Sequence, residues 1–123
     1  MKNKSICICE DDVQICALIF AAIKNEYLNI HIFNDPDEAA EFINDYSKID
    51  LAIIDLHYDI PQKSGIDVLT KCEKYSIKSI IITGDFIESV IEMKALENYS
   101  GKIIEKPFNL ESFKRIIIDT IKS

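Results

Sequence analysis

The sequence predicts one α/β domain, a mainly parallel five-stranded sheet covered by five helices, and three observations carry that expectation. Short apolar runs alternate with helix-period stretches from end to end, the pattern of a layered fold with parallel strands. Two runs, "LAIID" and "SIIIT", are continuously apolar, as strands buried on both faces should be. The chain has 123 residues, 48% of them hydrophobic, enough for a single core that needs no disulfide or metal staple.

Strands are expected at Ser5–Cys9, Asn29–Phe33, Leu51–Asp55, Ser79–Thr83 and Lys102–Glu105, and helices near 13–27, 36–46, 65–75, 87–98 and 110–122. Asp35-Pro36 opens the second helix, with Asp as N-cap, Pro at the first helical position and Glu38 placed for a capping box. Asn109 is placed to cap the last helix. The first helix is unusual because residues 15 to 23, "ICALIFAAI", hold no charged side chain. At about 100° per residue, Val13, Cys16, Ala17, Phe20 and Ile23 share one face, expected to pack on the sheet. Ile15, Leu18, Ile19 and Ala22 are left around the other side, an apolar surface of the kind that marks a partner site.

A formal net charge of −7 argues against direct nucleic-acid binding, which needs clustered Lys and Arg. No apolar run approaches the roughly 20 residues of a membrane span. No signal or transit segment is evident, so a cytoplasmic location without membrane insertion is expected. Cys7, Cys9, Cys16 and Cys72 fit no four-ligand zinc spacing, and in a reducing compartment all four are expected to be structural.

Ligands of parallel α/β sheets gather beyond the carboxyl ends of the strands, so the residues there are the informative ones. The first strand empties into Glu10-Asp11-Asp12, and the third ends in Asp55. The fourth ends in Thr83-Gly84-Asp85, and the fifth leads into Lys106-Pro107-Phe108. Asp12 suits the N-terminus of the first helix, where an acid complements the helix dipole. Glu10, Asp11 and Asp55 would repel one another on one edge unless a cation intervened, and Mg2+ needs only a few carboxylates plus water. An aspartate carboxylate can attack phosphorus, and phosphoryl transfer needs a cation and a lysine flanking the nucleophile.

The stretches "ICICEDD", "DLAIIDL", "IIITGD" and "IIEKPFN", in that order and spacing, resemble the receiver domain of two-component response regulators, and the resemblance spans essentially the whole chain. It implies a doubly wound, flavodoxin-like sheet of order 2-1-3-4-5. It implies that Asp55 accepts phosphate, and that Glu10, Asp11 and Asp55 hold Mg2+ with the main-chain carbonyl of His57 as a further ligand. Thr83 matches the hydroxyl residue that contacts the phosphoryl group, Lys106 the lysine that pairs with it, and the Lys106–Pro107 bond should be cis. The implied donor is a histidine kinase or a histidine phosphotransfer domain, docking on the first helix. Signalling is by protein–protein contact, with a homodimer left open and no output domain within this chain. The only chemistry implied is self-directed phosphoryl transfer and autodephosphorylation, so an enzyme acting on other substrates is not expected.

The chain also departs from the family pattern. Pro61 and Gly65 fall two positions late, a two-residue insertion in the loop after Asp55. Ile103 stands where Tyr or Phe is usual, and Tyr99-Ser100 replaces the customary Gly-Ala. His57 and Asp85 occupy the positions that tune phosphoaspartate lifetime in the family, and with Ile103 in place any switching should run through Thr83 and residues 84–87. A flavin-binding protein would need a Ser/Thr/Gly-rich phosphate loop where "EDDVQI" stands. A Mg2+-dependent phosphatase would need a second catalytic acid, for which Asp59 is the nearby candidate, and a substrate cap. A phosphorylation-independent interaction module of the same fold is the remaining alternative.

Overall fold

In the computed structural model of the chain, residues 3–27, 29–45, 48–58, 64–84, 94 and 96–123 are described. The elements run β1 (Ser5–Cys9), α1 (Val13–Ile23), β2 (Asn29–Phe33), α2 (Pro36–Asp45), β3 (Leu51–Asp55), α3 (Ile66–Lys74), β4 (Ser79–Thr83), β5 (Lys102–Glu105) and α4 (Leu110–Lys122). All five expected strands form, and they pair in parallel in the order β2-β1-β3-β4-β5. Four helices are complete among the described residues. Most of the one expected near 87–98 lies outside them, although Lys94, Leu96 and Glu97 are helical. Asp59, Pro61 and Asp85, and with them the inserted loop and the proposed lifetime position, also lie outside the described residues.

Period-two alternation divides the core into two layers. Ile6, Ile8, Ile53, Ile80 and Ile82 face the α1 and α4 side, where Phe113, Ile117 and Ile121 pack on them. Cys7, Cys9, Ala52, Ile54 and Ile81 face the α2 and α3 side, against Ile43, Val68, Leu69 and Cys72. Central strands β1 and β3 are buried along their whole length. All four thiols are free and buried, and burial raises each above its ordinary value, Cys72 to about 12.

Local signals behave as their chemistry predicts. Asp12 Oδ1 accepts from the backbone N–H of Gln14 at 2.9 Å and of Ile15 at 3.3 Å, capping α1. Asp35 Oδ1 accepts from Asp37 N at 2.9 Å, and Asn109 Oδ1 accepts from Ser112 N at 2.9 Å. The first helix is shorter than its apolar pattern suggested. Glu26 N donates three residues back to Ile23 O at 2.9 Å, so the last turn tightens and Tyr27 drops into the core.

The facing of α1 corrects the sequence expectation. Cys16, Ile19 and Ile23 are its buried stripe, whereas Val13 is 67% exposed and Phe20 40%. Ile15 and Ala22 are half-buried against the core on the α4 side, which leaves Leu18 as the well-exposed member of the four side chains expected to form an outer surface. The reason is the neighbour. Helix α4 packs against α1, so the buried arc turns away from Val13 and Ala17 toward the crevice that the two helices share with the sheet.

Close packing behind β3 fixes the route of the chain after Asp55. A Cβ on Gly65 would lie 2.2 Å from the Asp55 carbonyl oxygen and 2.8 Å from Ile54 Cγ2, so only Gly fits there. Gly65→Ala should destabilise the fold by about 2 kcal/mol through overpacking, seen as a lower urea midpoint. An unchanged midpoint would show that β3 yields more easily than its burial suggests.

Candidate functional site

The carboxyl ends of β1, β3, β4 and β5 converge, and each delivers one of the residues that the sequence singled out. At the end of β1, Glu10 N donates to Phe33 O of β2 at 3.0 Å. Glu10 O accepts from Asn34 Nδ2 at 2.9 Å and from Cys16 Sγ at 3.3 Å. This segment is therefore held by β2 and α1 together, with the Glu10 side chain wholly buried and Asp11 only partly so. Asp55, the last residue of β3, is also buried, and its Oδ1 accepts from His57 N at 3.1 Å. Thr83 closes β4, and its carbonyl accepts from Lys106 N at 2.7 Å, which ties the start of the segment after β5 to β4. The Lys106–Pro107 bond is cis, as the resemblance implied.

Lys106 is the centre of charge. Its Nζ lies 2.6 Å from Glu10 Oε1 and 3.0 Å from Asp55 Oδ2, one ammonium between two buried carboxylates. Carboxylate oxygens of Glu10, Asp11 and Asp55 come within 4.8 Å of one another. Burial, then the neighbouring Asp55, pushes Glu10 up to about 8, and the Lys106 ammonium only partly opposes them. Lys106 itself is pulled down by burial, but the two carboxylates outweigh this and hold it above its ordinary value. A buried acid crowded by a second acid, with one lysine to share, is an electrostatic conflict that a divalent cation with oxygen ligands relieves. The donor set fits Mg2+, a hard ion satisfied by few carboxylates. His57 pairs in an isolated antiparallel bridge with Ser64, so its main chain is fixed beside the acids.

Glu10 gives a pH signature. Its carboxyl is raised from about 4.5 to about 8 on folding, so between those values the folded protein binds a proton that the unfolded chain has released. That contribution is fully present below about 4.5 and is lost as pH rises toward 8, while Lys106 stays charged throughout. Without a divalent cation, the melting temperature should fall by several degrees from pH 5 to 8, and Glu10→Gln should flatten the slope. A slope unchanged by Glu10→Gln would assign the effect elsewhere. Since a cation must displace that proton, Mg2+ stabilisation should grow over the same window.

Sequence reasoning missed Asn34 and Cys16, which hold the site, and the nearby Tyr58. Asn34 and Cys16 hold the Glu10 carbonyl, and Tyr58 reaches Cys9, contacts spanning 24, 6 and 49 residues. Only the position of Tyr58 close behind Asp55 could have suggested it.

A family model of the response regulator receiver domain matches residues 6–118. The chain belongs to the response regulator receiver family. Among curated relatives, this receiver domain is 30% identical to regulatory protein VirG of Agrobacterium tumefaciens (strain 15955) over 115 residues, 89% of this chain and 40% of that protein. It is 27% identical over 114 residues to transcriptional regulatory protein KdpE of Staphylococcus aureus, covering 93% of this chain and 48% of that one. The chain thus spans less than half the length of these two relatives. The signal receiver domain of a putative Luxo repressor protein from Vibrio parahaemolyticus superposes with a TM-score of 0.79 at 27% identity, covering 98% of this chain and 91% of that one. A CheY-like receiver domain from Methanospirillum hungatei JF-1 shares the fold, with a TM-score of 0.80 at 24% identity over 97% of this chain and 94% of that one. No helix among the described residues is long and apolar enough to cross a membrane.

Proposed function

We propose that this receiver domain is a phosphoacceptor, taking a phosphoryl group onto Asp55 from a phosphohistidine donor. The supporting observation is the convergence of Glu10, Asp11 and Asp55 oxygens within 4.8 Å, with Lys106 Nζ 3.0 Å from the buried Asp55. In this reading Glu10, Asp11, Asp55 and the His57 main-chain carbonyl hold Mg2+. When bound, Mg2+ supplies positive charge to the phosphoryl oxygens and orients them for in-line attack. A carboxylate oxygen of Asp55 forms the new O–P bond while the donor's N–P bond breaks, the imidazole nitrogen keeping the electron pair. Lys106 then has an anionic phosphoryl group to pair with, and Thr83 offers its hydroxyl from the end of β4. Burial of Asp55 limits water at the reacting oxygen until hydrolysis returns the free carboxylate.

The donor class is a histidine kinase or histidine phosphotransfer domain, and signalling proceeds through protein contacts. The chemistry is directed at the domain's own aspartate, so the chain is a switch component rather than an enzyme with a separate substrate, working in the cytoplasm and without direct nucleic-acid contact. A phosphorylation-independent interaction module is favoured by one feature alone, Ile103, which is 45% exposed where the family usually carries an aromatic ring. Acetyl phosphate with Mg2+ should add one phosphoryl group, read by intact mass, and EDTA should prevent it. No mass shift under any Mg2+ concentration would favour the interaction module instead.

A further inference from the structure

Tyr58 lies three residues after Asp55, and its half-buried ring packs on the core of the α2 and α3 side. Its Oη sits 2.6 Å from Sγ of Cys9, the fully buried last residue of β1, which immediately precedes Glu10 and Asp11. Pairing between β1 and β3 ends at Cys9↔Ile54, so beyond that step no ladder bond joins the two exits that carry the acids. The loop's own base is closed separately, since Leu56 O accepts from Gly65 N at 3.1 Å and from Ser64 Oγ at 3.3 Å. Those bonds tie Leu56 to Ser64 and Gly65. Neither bond reaches β1.

We propose that Tyr58 is a positioning residue of the acidic site, seated on the Cys9 thiol so that the chain just after Asp55 stays in register with the strand that delivers Glu10 and Asp11. The inference rests on the Mg2+ reading above and extends it to a residue that touches neither metal nor phosphoryl group. Lys106 also bridges the two exits, but through charge, and its partners change once Asp55 carries a phosphoryl group. The phenol–thiol contact is neutral. Neither partner is a ligand or phosphoryl contact in the reading above, so the tie is independent of the phosphorylation state of Asp55. Supports of this kind typically cost about tenfold in metal affinity when removed.

The test is a Mg2+ titration of the whole chain, read by calorimetry and by thermal shift, with acetyl phosphate labelling measured across the same Mg2+ range. Tyr58→Phe keeps the ring and removes the hydroxyl. It should weaken Mg2+ about tenfold and raise the Mg2+ needed for half-maximal labelling, while the labelling rate at saturating Mg2+ stays near that of the wild type. Cys9→Ala should do the same, and Cys9→Ser, which keeps a hydrogen-bonding group, should restore most of the affinity. The double variant Tyr58→Phe, Cys9→Ala should bind no more weakly than either single one. Wild-type affinity in both single variants, or additive losses in the double, would overturn the proposal while leaving the Mg2+ site standing. A lowered melting temperature with unaltered affinity would reduce Tyr58 to a packing residue and overturn it too. A wild-type chain that takes up no Mg2+ would overturn the underlying reading itself, and that shows before any variant is made.

Discussion

Asp55→Asn is expected to take up no phosphoryl group from acetyl phosphate at any Mg2+ concentration, a loss of at least about a hundredfold against the wild type. The substitution nearly preserves shape, and one amide atom can still meet Lys106 Nζ, which lies 3.0 Å from Asp55 Oδ2. The variant should therefore fold, and circular dichroism should match the wild type. What it loses is the anionic oxygen that attacks phosphorus. Asp11→Ala is a graded companion. Asp11 is only partly buried, and its removal deletes one carboxylate of the three-acid cluster without touching the nucleophile. Labelling should then survive but need far more Mg2+. If Asp55→Asn were labelled as fully as the wild type, the phosphoryl group would be going elsewhere and the assignment would fall.

Lys106→Met should be the most destabilising of the conservative-volume changes at the site, by about 3 kcal/mol at neutral pH in the absence of divalent cation. Two acids, Glu10 fully buried and Asp55 2% exposed, would lose the one ammonium that lies 2.6 Å and 3.0 Å from them. For a chain of this size that is a drop of roughly 10 °C in melting temperature. The sign of its pH dependence distinguishes this cause from simple loss of packing. The Lys106 ammonium opposes the rise of the Glu10 carboxyl, so without it Glu10 keeps its proton to higher pH, and the deficit should shrink as pH falls below about 8. Mg2+ should shrink it as well, by supplying the missing positive charge. A deficit independent of both pH and Mg2+ would show that the Lys106 methylenes, not its charge, matter to stability. Labelling should fall sharply in either case, because the phosphoryl group loses its ammonium partner.

The strands were legible because their signal is local. "ICIC", "LAIID" and "SIIIT" need no knowledge of a partner to be recognised as buried strands, and Ser5–Cys9, Leu51–Asp55 and Ser79–Thr83 form as expected. The caps at Asp12, Asp35 and Asn109 were legible for the same reason, each being a side chain within three residues of the N–H it accepts. The facing of α1 was not. A helix apolar around most of its circumference leaves the hydrophobic pattern nearly degenerate, and the choice of Cys16, Ile19 and Ile23 over Val13 and Ala17 was made by α4, whose sequence lies about ninety residues further on. Ile103 was recognisable as a departure, but its 45% exposure follows from β5 being an edge strand.

By itself the sequence determined which residues stand at the strand ends: Glu10 and Asp11 after β1, Asp55 at the end of β3, Thr83 at the end of β4 and Lys106 after β5. That information is carried by order along the chain, and five parallel strands convert order into a shared edge. The tertiary structure alone decided the electrostatics of that edge. It buried Glu10 completely, left Asp11 half open, and set Lys106 between two acids that lie 96 and 51 residues from it in sequence. It also brought Tyr58 to Cys9. Charge interactions depend on distance and on the exclusion of water, and neither exists until strands far apart in the chain lie side by side.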